Sequence, residues 1–196
     1  MGLTDRIYEG AKKIESLAFN AHEYVAHLAN EYFGLTNYQL SNCAVSFPSI
    51  IIGAGLVFNF FSPDYKLPFD EKSFAVSSLY AFLMISNNGN LEKKELEIAQ
   101  LESISNADVS REKIESRIMG ALVGSASFFS TIGLDYNIIM GGSQDPPFIV
   151  DMNLLLLYAT SAHYFKAIDY TPRKKGRVQN AIESLFLEKV AGPFSA

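Results

Sequence analysis

The chain has 196 residues, 48% hydrophobic and 19% charged, with a formal charge of −5 and a pI near 5.2. Its length makes one core-bearing domain the default, and its acidity excludes a general phosphate-binding surface, since nucleic-acid affinity rests on Lys and Arg. A single cysteine, Cys43, excludes an intrachain disulfide and a multi-thiolate metal site, and a reducing compartment fits.

Residues 5–33 read as one long amphipathic helix. Ile7, Ala11, Ile14, Ala18, Ala21, Val25, Leu28 and Tyr32 recur at alternating spacings of four and three, and Gly34 ends the run. That seam needs an apolar counterpart: the rest of the domain, a protein partner or a membrane surface. Alanine at three of the eight positions favours close helix packing over deep lipid insertion. His22, Glu23 and His27 superficially match a zinc-protease motif, but histidines five residues apart diverge by about 140° on a helix and cannot share an ion. Glu23, His27 and Glu31 form a solvated polar face instead.

Four apolar stretches follow, at 43–61, 73–86, 118–134 and 148–165. Cys43, beside Ala44 and Val45, reads as a small buried apolar group. A bilayer needs about 20 apolar residues in a helix. Only the first stretch passes comfortably, because the second has 14 and the fourth carries Asp151, Asn153 and His163. The four are therefore expected as buried core helices. Against that stands a charge asymmetry: if all four crossed a membrane, fourteen of the sixteen basic residues would share one side and only Lys66 and Lys72 the other. The positive-inside rule would then put both termini in the cytoplasm. Asn59, Asp151, Asn153 and His163 would be the polar groups of interest in that arrangement.

Between the second and third stretches, Ser86-Asn87-Asn88-Gly89 reads as a turn, with a charged helix starting at Asn90. Asn106, Asp108 and Ser110 mimic the start of a calcium loop, but Arg111 and Arg117 stand where its glycine and glutamate belong. Asp108 is better read as a helix N-cap. Gly120 and Gly124 allow a close helix crossing, and Gly53-Ala54-Gly55 is packing rather than a dinucleotide turn. The basic run Arg173, Lys174, Lys175, Arg177 reads as a solvated helix start.

Landmarks recur in order along the chain. Phe60-Phe61-Ser62 matches Phe128-Phe129-Ser130, Asp64-Tyr65 matches Asp135-Tyr136, and Pro68-Phe69 matches Pro147-Phe148. Leu79-Tyr80-Ala81 matches Leu157-Tyr158-Ala159, Lys93-Lys94 matches Lys174-Lys175, and Glu102-Ser103 matches Glu183-Ser184. Ordered matches of this kind indicate duplication, with units of about 45–110 and 115–190, and equivalent segments should share an environment.

The sequence from Ser86 to Glu95, an apolar helix followed by Asn88-Gly89 and then Glu95, resembles the tellurite-resistance TerB-like family. That family's signature is an apolar helix, an Asp-Gly turn and a Glu about seven residues beyond the Asp. The resemblance implies an all-helical fold of two units, a role in stress responses, ion binding at the acidic turn and assembly at the inner face of membranes. Carried across, Asn88 replaces the turn acid while Gly89 and Glu95 are kept. In the second unit Asp169 is kept, Tyr170 replaces glycine and Gly176 replaces glutamate. Pooling Asn88, Glu92, Glu95 and Asp169 would make one weakly bound divalent-cation site, against the plainer reading of both turns as helix caps.

The combined expectation is an all-α protein: a helical segment over 1–40, then two helical repeats over 41–196 packed as one domain. No nucleophile motif or phosphate-binding glycine loop appears, so the expected function is non-enzymatic. It is an interaction or scaffold module with a protein partner at helix 5–33, cytoplasmic and peripheral at the inner membrane face. The alternative is a four-span integral membrane protein, an accessory subunit or small transporter.

Overall fold

The computed structural model describes residues 3–62, 64, 67, 69, 71–101, 107–139, 146–169 and 175–191. Among these every regular element is an α-helix, as expected: α1 (Leu3–Phe33), α2 (Asn37–Phe61), α3 (Glu71–Leu101), α4 (Ala107–Ile139), α5 (Pro146–Ala167) and α6 (Arg177–Ala191). The chain forms two compact units, Met1–Leu40 with Asp169–Ala196, and Ser41–Ile168.

In the first unit α1 ends where Gly34 adopts φ 70° and donates its N–H to Asn30 O at 2.9 Å, an αL cap that glycine adopts without a Cβ penalty. Thr36 then opens α2 with a reciprocal capping box. Gln39 N–H donates to Thr36 Oγ1 at 3.2 Å, and Thr36 N–H donates to Gln39 Oε1 at 3.0 Å. Gly176 caps α6, its N–H donating to Gln179 Oε1 at 3.3 Å. A Cβ at Gly176 would strike the backbone of Tyr32 and Phe33, so only glycine fits there. Arg177 pairs with Glu31 and lies over the Tyr32 ring, which joins α6 to the end of α1. Along α1, however, Ile7, Ile14, Val25 and Tyr32 of the apolar seam are exposed.

In the second unit, α2 to α5 alternate in direction. Ser41 of α2 meets Asn88 of α3, while Gly53, twelve residues further on, lies against Phe74. On α4, Glu112, Gly120 and Gly124 meet Lys166, Tyr164 and Thr160 of α5 in reverse order. A Cβ at Gly120 would lie 3.1 Å from the Tyr164 ring, and one at Gly124 3.2 Å from Thr160, so the two glycines set the close α4–α5 crossing. Gly53 and Gly55 likewise receive the rings of Phe74 and Phe69, as packing glycines.

Two expectations are corrected. Ser86-Asn87-Asn88-Gly89 is not a turn, because α3 runs through it unbroken from Glu71 to Leu101. The reason is periodic: Ser77, Ala81, Met84, Asn88, Leu91 and Glu95 fall on one buried face, which outweighs the roughly 1 kcal/mol that glycine costs inside a helix. Cys43 is exposed, because the inward face of α2 is carried by Ser41, Val45, Pro48 and Ile52, and position 43 lies about 200° round from Ser41. Asp108 lies within the first turn of α4, one residue after its start. Asn106, Arg173, Lys174, Tyr170 and the pairs at 64–65, 68–69 and 102–103 lie wholly or partly outside the described residues.

Candidate functional site

The α2–α5 unit buries an unusual number of polar side chains beside apolar ones such as Val45, Ile52, Met84, Leu91 and Leu155, and exposes many large apolar ones. Ser73, Ser77, Asn88 and Glu95 of α3, Ser116 and Ser127 of α4, and Asp151, His163 and Lys166 of α5 are buried. Ile50, Val57, Phe60 and Phe61 of α2, Leu79, Phe82 and Leu83 of α3, and Ile118, Leu122, Phe128 and Phe129 of α4 are exposed. Burial of ionisable side chains without pairing is costly, and Glu95, Lys166 and His163 each have a partner on another helix.

The buried groups make two clusters. In the first, Asn88 Nδ2 donates to Ser41 Oγ at 2.9 Å and to Asn42 Oδ1 at 2.8 Å, while Ser41 Oγ donates to Ala162 O at 2.8 Å. Because Ser41 spends its hydrogen on Ala162, it must accept from Asn88, which fixes the orientation of the Asn88 amide. This one side chain therefore ties α3 to α2, and through Ser41 to α5.

The second cluster is built by Glu112 and Lys113, adjacent on α4 and so about 100° apart around it. Lys113 Nζ lies 2.6 Å from Glu95 Oε1 on α3, and Lys166 Nζ of α5 lies 3.2 Å from Glu112 Oε1. Two opposite charges side by side on α4 thus reach two helices, and the four groups sum to zero. One turn before Lys166, His163 Nε2 is 3.0 Å from the Tyr80 hydroxyl of α3. Asn88 Oδ1, Glu95 Oε2, Ser73 Oγ and His163 Nδ1 are buried with no hydrogen-bond partner among the described residues.

The pooled cation site is distributed as follows. Asn88 and Glu95 are buried on the same face of α3, seven residues or about 10 Å apart, with Glu92 half-buried between them. Asp169 is exposed and belongs to the other compact unit. Glu95 is engaged by Lys113, and among the described residues no three His, Cys, Asp or Glu are grouped to hold a metal ion. Of the polar groups named for the membrane alternative, Asn59 braces the α2–α3 connection by accepting from Leu67 N–H at 2.6 Å and donating to Leu67 O at 3.0 Å. Asp151 is 1% exposed and Asn153 half-buried. On α1, His27 is exposed and the half-buried His22 has Nδ1 2.7 Å from Ala18 O, so the pair forms no site.

Ser41, Tyr80, Glu112, Lys113 and Lys166 are not picked out by any motif. Their signal is positional: polar residues recur where a soluble helix would carry its apolar stripe. The described members of the recurring landmark pairs have similar exposure. Leu79 and Leu157 are 61% and 57% exposed, Ala81 and Ala159 are 7% and 5% exposed, and Phe60-Phe61 and Phe128-Phe129 are exposed edge-to-face pairs.

No protein-family model, curated protein or solved structure matches this chain.

Proposed function

We propose that Ser41–Ile168 is a membrane-embedded four-helix body, a non-enzymatic accessory subunit or small transporter with both chain ends on the cytoplasmic side. The observation that carries this reading is the exposure of large Phe, Leu and Ile side chains on α2–α4 together with the burial, beside apolar residues, of Ser, Asn, Glu, Asp, His and Lys, several of which are joined across helices by hydrogen bonds or ion pairs. In a bilayer the outward faces need no protein cover, and inward ionisable groups are the expected arrangement.

Three further facts support it. α2 is long and apolar enough to cross a membrane, and only 28% of its most apolar window is buried, unlike a soluble core helix. Because α3 does not stop at Ser86, its uncharged run from Ser73 to Leu91 rises about 28 Å between Lys72 and Glu92, close to the hydrocarbon thickness. Lys93, Lys94, Arg111, Lys113 and Arg117 lie together at the α3–α4 end, and Lys72 lies at the opposite one.

A second reading is a TerB-like stress-response module peripheral to the inner membrane face, in which a protein partner covers the exposed seam of α1 and the outer faces of α2–α4. It is favoured by the fact that α2 is the one helix among the described residues to meet the length and composition of a span. Carbonate extraction separates the two. Retention in the membrane pellet is expected, and release into the supernatant would replace the first reading with the second.

A further inference from the structure

We propose that the inward faces of α3 and α5 form a proton path through the α2–α5 body. The Tyr80–His163 pair is its relay, and Asp151 is the acid nearest the opposite end. This rests on the membrane-spanning reading. His163 is buried with one ring nitrogen 3.0 Å from the Tyr80 hydroxyl and the other, Nδ1, with no hydrogen-bond partner among the described residues. Most buried polar side-chain atoms are hydrogen-bonded, so an open nitrogen on a buried histidine calls for a role. A neutral imidazole with one nitrogen on a hydroxyl and the other open is the arrangement that accepts a proton on one side and releases one on the other.

Groups able to continue the path lie on both sides of the pair. Asp151 is twelve residues before His163 on α5, about 18 Å along the helix, and is buried. The hydroxyls of Ser73 and Ser77 on α3 are buried in the same body, and Ser73 Oγ has no hydrogen-bond partner among the described residues. Serine hydroxyls both donate and accept, and buried polar atoms of this kind are ordinarily satisfied by bridging water. Towards the basic end, Lys166 and its partner Glu112 follow one turn on. A metal ion would need several oxygens converging on one point. A proton needs a series of single donors and acceptors, and these residues are strung along the bundle in that way.

The transfer balances without a co-reactant. A proton taken up at one nitrogen of His163 is matched by one released from the other. The Tyr80 oxygen gives up its hydroxyl hydrogen as it receives another, so both groups return neutral and charge moves only with the transferred proton.

The test uses the full chain reconstituted into vesicles of phosphatidylcholine and phosphatidylglycerol, with a trapped pH-sensitive dye and a valinomycin-clamped potassium gradient. Flotation on a density gradient is measured in parallel. Acidification faster than in protein-free vesicles is expected, and Tyr80→Phe, which removes one oxygen and leaves the ring packing intact, should slow it about tenfold. Asp151→Asn should slow it comparably. Protein that floats with the vesicles but gives no added acidification, or a rate unchanged in both variants, would overturn the proton path and leave the membrane reading standing. Protein that does not float would overturn both.

Discussion

Asn88 Nδ2 and Ser41 Oγ, 47 residues apart in sequence, are joined by a buried 2.9 Å hydrogen bond in which the amide donates. Since the Ser41 hydrogen is already committed to Ala162 O, Asn88 must present a donor at this point. Asn88→Asp replaces that donor with a carboxylate facing an acceptor inside the bundle. The expected loss is at least about 2 kcal/mol, read as a lowered unfolding midpoint in mild detergent. The TerB-like resemblance expects the opposite, because the same change restores the turn acid of that family. A stable variant that gains calcium or magnesium affinity would favour it.

Glu95 and Lys113 are paired at 2.6 Å with both side chains largely buried. Removing one charge strands the other, whereas removing both leaves a neutral contact. A cycle of Glu95→Gln, Lys113→Gln and the double variant should give a coupling of about 1–3 kcal/mol, with the double variant more stable than additivity allows. Additive losses would mean that the two groups do not interact.

Glycines in α3 and α4 should respond oppositely to enlargement. Gly89 has open space where a Cβ would go, so Gly89→Ala should raise stability by about 0.5–1 kcal/mol through helix propensity alone. Gly120 faces Tyr164 and His163 across the α4–α5 crossing, so Gly120→Leu should cost about 1–3 kcal/mol by forcing the helices apart. Thermal unfolding of the two variants side by side checks the sign of each.

Thr36→Ala removes the hydroxyl that accepts the Gln39 N–H at the start of α2. The expected cost is about 1 kcal/mol. Thr36→Ser keeps the acceptor and should retain most of the wild-type stability, which separates loss of the cap from loss of side-chain volume.

Topology is testable with single cysteines in a Cys43→Ser background. Lys93→Cys, at the α3–α4 end, should be shielded from a membrane-impermeant maleimide added outside intact cells. Lys72→Cys, at the start of α3, should react. Equal labelling of both positions would contradict the proposed orientation.

Helical class, the cap at Gly34 and the packing role of Gly53, Gly55, Gly120 and Gly124 were legible in residue order alone, because capping and close helix approach depend on local chemistry and on spacing within one helix. The span of α3 was not legible. Read along the chain, Asn87-Asn88-Gly89 has the composition of a turn, and only the hydrogen bonds from Asn88 to residues of α2 show why it is a buried helical position. The inward direction of Glu95, Ser77 and Lys166 was likewise decided in three dimensions. A periodic polar stripe looks the same in sequence whether it meets water or meets partners on other helices, and the pairing of Glu95 with Lys113 and of Lys166 with Glu112 exists only once α3, α4 and α5 lie side by side.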